Sequence, residues 1–446
     1  MSATIYWIRR DLRVDDNPAL DWAVRRDQPI IPIYIHAPDE HGDWAPGAAS
    51  RWALHQGLEH LSIDLARLGA PLVVKQGSTR ASLESLIKAH DVSAVVWNRL
   101  YDPALVERDK VIKTWLKDQS IKAKSCKASL LFEPWSIETG QGTPYRVYTP
   151  FRKTVEKLPA PADPLPAPKR LDGLSSVSSL TLEQLDLMPR VPWYRSIDQH
   201  WTLSETAAHD MLEAFCDGAL NDYDTDRDRP DRHGTSRLSP YLHFGQISVR
   251  RIWHECSQHP SSKSLSRYKS ELIWREFAHH LLWHFPKTPS DNYNDKFDRY
   301  PWKDDANHPD FIAWTKGETG IELVDAGMQE LWHTGWMHNR VRMIVASFLT
   351  KNLGFHWRLG AQWFWDTLID ADLANNTLGW QWAAGCGADA APFFRIFNPA
   401  TQAEKFDPQA SYRRRWLQSG RPDPMVDLKA SRQVALKAYK ALSDNT

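Results

Sequence analysis

The sequence predicts an α/β fold in which a parallel, Rossmann-like sheet domain is joined by a long loop to an all-α domain. Up to about residue 135, short runs rich in β-branched and aromatic residues alternate with helical patterns. After about residue 204 the strand-like runs nearly vanish. Twelve of the 22 tryptophans then fall between Trp253 and Trp382. A sheet whose strands alternate with helices is expected to be parallel and covered on both faces.

The individual elements of the first half follow from local patterns. Apolar residues between 51 and 68 recur at nearly 3.6 residues, which predicts a helix. Asn17 before Pro18 and Asp102 before Pro103 each predict an N-cap side chain and a first-turn proline. No GxGxxG follows the first strand, and no GxxxxGK[ST] occurs, so a dinucleotide-binding domain or P-loop is disfavoured. The predicted strands are residues 4–8, 29–36, 71–75 and 94–97.

The domain organisation is read from a change in composition. Residues 157–170 are rich in proline, and a stretch rich in serine and leucine follows them. We therefore expect an α/β domain at 1–135, an interdomain linker at 136–203 and a helical domain at 204–446.

Composition excludes several classes of protein. The 55 basic residues balance the 55 acidic ones, which excludes a histone-like tail but not a local basic patch. The four cysteines show no zinc-finger spacing, so we expect reduced thiols and no metal site. No apolar run approaches the roughly 20 residues of a membrane span, and the N-terminus resembles no targeting signal. We therefore expect a cytoplasmic protein.

Several motifs of the second half carry polar side chains at helical spacing. Glu271, Trp274 and Arg275 share one helix face, although a surface ion pair beside a core tryptophan would look the same. Trp336, Asn339 and Met343 are expected on one face as well, either as a binding face or as a core stripe. His280 and His284 have the spacing of metal ligands, but buried structural histidines are the better interpretation.

Two further motifs lie on either side of these helices. In the GTSRLSP segment, Ser239 is expected to cap a helix that begins at Pro240; such a start is either an anion site or an ordinary cap. The segment from Asp370 to Trp382 gathers acidic residues, paired asparagines and two indoles. A plain solvated loop is not expected to combine these residue types, so we expect this cluster to form part of a functional site.

Together these motifs resemble the DNA photolyase and cryptochrome family. The resemblance runs from RRDLR at residues 9–13 to ASYRRRW at 410–416 and includes GWMHNR, DADLANN, GWQW and AAPFFRIFNP. Within the family it is greatest to the class I photolyases that repair cyclobutane pyrimidine dimers. The resemblance implies a helical domain that holds FAD, active in its reduced anionic form FADH⁻. It also implies a carbon–carbon lyase driven by light, in which excited reduced FAD passes an electron to the flipped-out dimer.

The resemblance assigns roles to individual residues. Contacts to FAD are implied for Tyr223, Thr235, Ser236, Leu238, Ser239, Arg275, Trp336, Arg342, Asp370, Asp372 and Asn376. Catalytic roles are implied for Glu271 and Asn339 at the dimer, and for Trp302, Trp357 and Trp380 in delivering electrons to FAD. Contacts to the damaged DNA are implied for Trp274, Met343, Trp382, Arg227, Arg340 and Arg395.

The expected partners and the alternative functions follow from the same resemblance. UV-damaged DNA would be bound by lesion shape, without sequence specificity, by a monomeric protein. Glu107 matches a contact to an antenna chromophore, for which 5,10-methenyltetrahydrofolate is preferred over 8-hydroxy-5-deazaflavin or none. The main alternative function is a cryptochrome-type blue-light receptor. A (6-4) photolyase is disfavoured, because this chain has Asn339 where that branch has a second histidine. A light-independent nucleotide-binding protein is disfavoured by the three electron-delivering tryptophans.

Overall fold

The computed structural model describes residues 2–174, 176–390, 394–417 and 422–444. Five strands precede residue 130: β1 (Ala3–Ile8), β2 (Ile30–His36), β3 (Val73–Gln76), β4 (Val92–Asn98) and β5 (Lys122–Cys126). The helices of this first part are α1 (Pro18–Val24), α2 (Ala48–Leu68), α3 (Thr79–Ala89) and α4 (Pro103–Asp118).

Every later regular element that the structure describes is helical. The helices are α5 (Tyr148–Val155), α6 (Arg195–Asp198), α7 (Glu205–Asp217), α8 (Tyr223–Asp226), α9 (Ser239–Phe244), α10 (Val249–Ser257), α11 (Lys263–His284), α12 (Pro309–Lys316), α13 (Glu322–Thr334), α14 (Asn339–Ser347), α15 (Trp357–Thr367), α16 (Leu373–Ala384), α17 (Pro399–Phe406), α18 (Ser411–Trp416) and α19 (Leu428–Asp444). None of the described helices has the length and apolar character needed to cross a bilayer.

The five strands form one parallel sheet in the order β3-β2-β1-β4-β5. Its core is built from the β-branched and aromatic side chains that predicted the strands, among them Ile5, Trp7, Ile33 and Val95. The predicted fold class is thereby confirmed. Strand β5 was not among the predicted strands; its alternating exposed lysines are typical of an edge strand.

Packing divides the chain into two compact units that interleave in sequence. Unit 1 comprises Met1–Ser136, Leu158–Asp217 and Ser236–Ser261, and holds the sheet. Unit 2 comprises Ile137–Lys157, Gly218–Thr235 and Ser262–Thr446, and holds most of the helices. Part of the expected linker belongs to unit 1 and is hydrogen-bonded to its sheet: the Ile30 backbone N–H of β2 donates to Asp172 O at 2.7 Å. The predicted domain bounds at 135 and 204 stay predictions.

Three local expectations are corrected by the structure. The side chain of Asn17 caps α1 as expected, but that of Asp102 makes no capping bond and pairs instead with Arg10 at 2.5 Å. Helix α9 already begins at Ser239, so this residue is not the cap. His338 is the N-cap of α14, where its side chain accepts a bond from the Arg340 N–H. Trp336 lies before this cap, outside the helix, and therefore does not share a helix face with Asn339.

Candidate functional site

A cavity of about 470 Å³ lies among the helices of unit 2, and we call it the helical-unit cavity. Helix α11 contributes one wall, α14 a second and α16 a third, and the turn before α16 completes it. The predicted site residues that line it are Arg227, Glu271, Trp274, Arg275, Asn339, Arg340, Arg342, Met343, Asp370, Asp372, Asn376, Trp380, Trp382 and Arg395. Residues far apart in sequence thus meet around a single space.

Charged groups at the rim of the cavity are paired. Arg227 donates to the Glu271 carboxylate at 2.5 Å, and Arg267, one turn before Glu271 on α11, lies 3.9 Å from it. Arg340 pairs with Asp228 at 2.7 Å. A carboxylate held between two guanidiniums keeps further lone pairs that can accept a hydrogen bond from a ligand.

A second ion pair also lines the cavity. Arg342 donates to both carboxylate oxygens of Asp370, at 2.8 and 3.1 Å, and its Nε–H donates to Met337 O at 2.7 Å. Asp372 caps α16 by accepting a bond from the Asn375 N–H at 2.9 Å. One turn later, Asn376 donates to Ala361 O at 3.0 Å. These contacts orient the polar face of α16 that borders the cavity.

Aromatic rings form the apolar part of the cavity. Trp274 stacks on Tyr148 of α5, with ring centroids 3.5 Å apart and planes 8° apart. The Tyr148 hydroxyl is bound to Ser270, and burial raises its pKa to about 12. Arg395 lies over the Trp382 ring at 5.6 Å. Trp274 is therefore held in one orientation by a neighbour that the sequence analysis did not identify.

The size of the cavity depends on small side chains along one face. Gly379 lines it, and a Cβ built there would meet no protein atom within 4 Å. Ala346 and Ala371 also line it. A planar ligand with polar edges fits this space, since amide and guanidinium groups line it together with aromatic and small residues.

Three predicted electron carriers are connected by other rings and by one helix. Trp380 is buried against Phe364, at 4.9 Å between centroids, and packs over Gly360 of α15. Trp357, three residues before Gly360, is fully buried and donates to Asn292 at 2.8 Å. The His356 ring lies between Trp357 and the half-buried Trp302, at 5.5 and 5.4 Å.

Other predicted residues do not line the cavity in the described part of the chain. Tyr223 is buried against Tyr268. Thr235, Ser236 and Leu238 lie in the loop that leads to α9, and Ser239 is the first residue of that helix. Trp336 lies 5.9 Å from the Arg342 guanidinium. Glu107 is exposed on α4 and pairs with Lys110 at 2.6 Å. The predicted roles of all these residues stay predictions.

The last predicted motif, AAPFFRIFNP, is described only in part. Residues 391–393 lie outside the described residues. Asn398 caps α17 by accepting bonds from the backbone N–H groups of Ala400 and Thr401.

Some residues at the cavity had no predicted role. Arg267 could have been found, because it stands at the same helical spacing from Glu271 that singled out Arg275. Tyr148 and Asp389 could not, since nothing in their local sequence indicates a distant partner. Burial raises the pKa of the Asp389 carboxyl.

Comparison with known proteins identifies the family. A family model described as the FAD binding domain of DNA photolyase matches residues 268–421, and one described as DNA photolyase matches residues 4–169. A deoxyribodipyrimidine photo-lyase of Agrobacterium fabrum is 43% identical over 99% of this chain and 98% of its own. Cryptochrome-2 of Arabidopsis thaliana is 37% identical over 93% of this chain and 70% of its own.

Solved structures agree with this result. A bacterial class III photolyase from Agrobacterium tumefaciens superposes with a TM-score of 0.95, at 42% identity, over 100% of this chain and 98% of its own. An archaeal photolyase from Sulfolobus tokodaii, described with two FAD molecules, gives a TM-score of 0.84 at 27% identity over 98% of this chain and 100% of its own. The greater likeness to class I that the sequence suggested finds no support in these structures.

Proposed function

Because the chain belongs to the DNA photolyase and cryptochrome family, we propose that it repairs cyclobutane pyrimidine dimers in DNA in a light-driven reaction. The observation that carries this proposal is the helical-unit cavity. It brings Glu271, Trp274, Asn339, Met343 and Trp382 to one space. Two indole walls suit a bulky unstacked lesion, and a carboxylate and an amide suit the polar edges of its pyrimidines.

FAD is the cofactor of the proposed reaction, and the cavity fits part of it. The open space at Gly379 leaves room for a flat ring system, while Asn376 and the Arg342–Asp370 pair offer hydrogen bonds to its edge. Reduced FAD, when bound and excited by light, would supply the electron that starts bond cleavage. Asn376 cannot ionise, so it would favour a reduced anionic ring more than an aspartate at this position.

The side chains of the cavity would act on the lesion by position and charge. Arg227 and Arg267 keep the Glu271 carboxylate in place, so that it can accept a hydrogen bond from a pyrimidine N–H. Tyr148 fixes Trp274 as a rigid wall, which lowers the entropy lost when the lesion binds. Arg340 and Arg395 would contact phosphates beside the lesion without reading sequence.

We propose that Trp302, Trp357 and Trp380 relay electrons from the surface toward the cavity. Support comes from the aromatic rings that connect the half-buried Trp302 with the buried Trp357, and from the packing of Trp380 on the same helix. This relay would restore the reduced cofactor after adventitious oxidation.

The finer assignments follow from the similar structures and the sequence. We propose class III rather than class I, because of the 0.95 TM-score to a class III photolyase. The antenna is proposed as 5,10-methenyltetrahydrofolate near Glu107, with 8-hydroxy-5-deazaflavin or no antenna as alternatives. A monomer located in the cytoplasm remains the prediction from the sequence.

A blue-light receptor is the second candidate, and one observation favours it. Plant cryptochromes match 93% of this chain at 36–37% identity. The complete set of lesion-facing side chains in the cavity favours repair instead, because a sensor has no need for them.

Illumination of damaged DNA tests the proposal directly. The purified protein with reduced FAD would be mixed with UV-damaged oligothymidine, and dimer loss would be measured by chromatography in blue light and in darkness. We expect loss in light only. A protein that carries reduced FAD but leaves the dimers intact in light would overturn the proposal and favour the receptor.

A further inference from the structure

Two of the four cysteines lie close together in unit 1. The Sγ atoms of Cys216 on α7 and Cys256 on α10 are 3.6 Å apart, and both side chains are buried. A disulfide has its sulfurs about 2.05 Å apart, so the two atoms need to approach by only about 1.5 Å.

The two helices are also tied together beside the thiols. The Asp15 carboxylate pairs with Arg251 of α10 at 2.9 Å and lies 3.8 Å from His209 of α7. These contacts keep α7 and α10 side by side. The proximity of the sulfurs is therefore a stable property of this packing.

One of the two thiols faces a cavity of about 660 Å³ in unit 1. Cys216 lines this cavity together with His209, Glu255 and His259, whereas Cys256 lies behind it with no exposed surface. The hydrogen bond between the thiols lowers the pKa of Cys216. Cys216 is thus the thiol that a small reagent reaches, and its lowered pKa favours the reactive thiolate.

We propose that Cys216 and Cys256 form a redox-active dithiol, which hydrogen peroxide entering this cavity oxidises to an intramolecular disulfide. The Cys216 thiolate attacks one peroxide oxygen, the O–O bond breaks, and water leaves once a proton is supplied. Cys256, as its thiolate, then attacks the sulfur of the Cys216 sulfenic acid, the S–O bond breaks, and a second water leaves. Overall, two thiols and one peroxide give one disulfide and two waters.

The position of the pair in the chain gives the disulfide a structural consequence. Between the two cysteines the chain leaves unit 1, contributes Gly218–Thr235 to unit 2, and returns. This excursion carries Tyr223, Arg227 and Thr235, which are predicted to contact the cofactor or DNA. A disulfide would join the two ends of this segment and lower the conformational entropy of the unfolded chain. The melting temperature of the oxidised protein should therefore be higher.

Peptide mass spectrometry of the full-length protein tests the inference. The protein would be treated with hydrogen peroxide, alkylated, and digested without reductant. We expect a cross-linked peptide pair containing Cys216 and Cys256, about 2 Da lighter than the two free-thiol peptides, and we expect dithiothreitol to abolish it. Cys126 and Cys386 should resist peroxide, since burial raises the pKa of each, and should be alkylated once the treated protein is unfolded. Full alkylation of Cys216 and Cys256 after peroxide treatment would overturn the inference.

Variants separate the two thiols. In Cys256→Ser the sulfenic acid on Cys216 has no resolving thiol, so dimedone should label it, while the wild type should show little label. Cys126→Ser is the matched control and should form the disulfide at the wild-type rate. Equal dimedone labelling of wild type and Cys256→Ser would contradict the role of Cys256. Should Cys256→Ser fail to fold, the cross-link in the wild type decides the matter alone.

Discussion

At the scale of single residues, Glu271 shows how neighbouring charges prepare a side chain for binding. Its carboxylate lies between Arg227 and Arg267, on the wall of the helical-unit cavity. Both guanidiniums face the carboxylate, and its remaining lone pairs can accept a hydrogen bond from a ligand. The position of the Glu271 carboxylate therefore depends on both arginines.

Replacement of Glu271 by glutamine is expected to lower repair by about tenfold, because a neutral amide is a weaker acceptor and leaves Arg227 uncompensated. The FAD content should stay unchanged. Dimer loss per absorbed photon provides the measurement, and Glu183→Gln on the exposed surface of unit 1 is the matched control. Wild-type repair by Glu271→Gln would argue against a role in lesion binding.

Trp380→Phe is expected to separate photoreduction from repair. Phenylalanine is much harder to oxidise than tryptophan, so the oxidised cofactor should no longer be reduced by light in this variant. Repair should persist after chemical reduction. The flavin absorbance under blue light measures the first effect, and Trp332→Phe, at an exposed tryptophan, is the control. A chemically reduced Trp380→Phe protein without repair activity would show that Trp380 does more than deliver electrons.

At the scale of elements, two glycines on neighbouring helices have opposite surroundings. A Cβ at Gly360 of α15 would lie 2.1 Å from the Trp380 ring, whereas a Cβ at Gly379 of α16 would meet nothing within 4 Å. The first glycine allows α15 and α16 to pack closely. The second leaves the cavity open.

Alanine substitutions at these glycines should therefore change stability in opposite directions. Gly360→Ala is expected to lower the free energy of unfolding by about 1–3 kcal/mol through overpacking. Gly379→Ala should raise it by roughly 0.5–1 kcal/mol, because alanine loses less backbone entropy in a helix. Urea unfolding monitored by circular dichroism measures both. Equal effects of the two substitutions on the free energy of unfolding would mean that the close contact at Gly360 does not destabilise the alanine variant.

At the scale of the whole molecule, buried histidines predict how stability depends on pH. Burial lowers the pKa of His338 to about 3 and that of His356 to about 4. For His338, the positive charges of Arg340, Arg342 and Arg227 act in the same direction and Asp228 opposes them. Both folded-state values lie below the unfolded value of about 6.5, so acid favours the unfolded chain.

We expect the free energy of unfolding to fall as the pH drops below about 6.5, by about 2 kcal/mol at pH 5 for each of these two histidines. His338→Asn keeps a helix-capping acceptor but removes the titrating ring, so this variant should lose less stability on acidification. Urea unfolding midpoints at pH 7.5 and pH 5 provide the comparison. If both proteins lose stability equally, another group controls the response to acid.

The sequence by itself determined the fold class and the helices that border the site. Strand runs and helical periodicity report which face of an element is buried, and the spacing of Glu271, Trp274 and Arg275 identified the face of α11 that lines the cavity. The prediction that Trp336 shares a helix face with Asn339 was wrong, because α14 begins only after His338 and does not include Trp336. The same reasoning also missed β5, because an edge strand lacks an apolar run.

Only the tertiary structure decided which distant residues meet. Tyr148 stacks on Trp274, Arg227 pairs with Glu271, and Cys216 lies beside Cys256, although each pair is separated by 40 residues or more. Local patterns depend on interactions within a few residues, whereas these contacts depend on how whole helices pack against one another. The sequence therefore predicted many of the side chains that line the cavity, and the packing of the helices selected the partners that hold them in place.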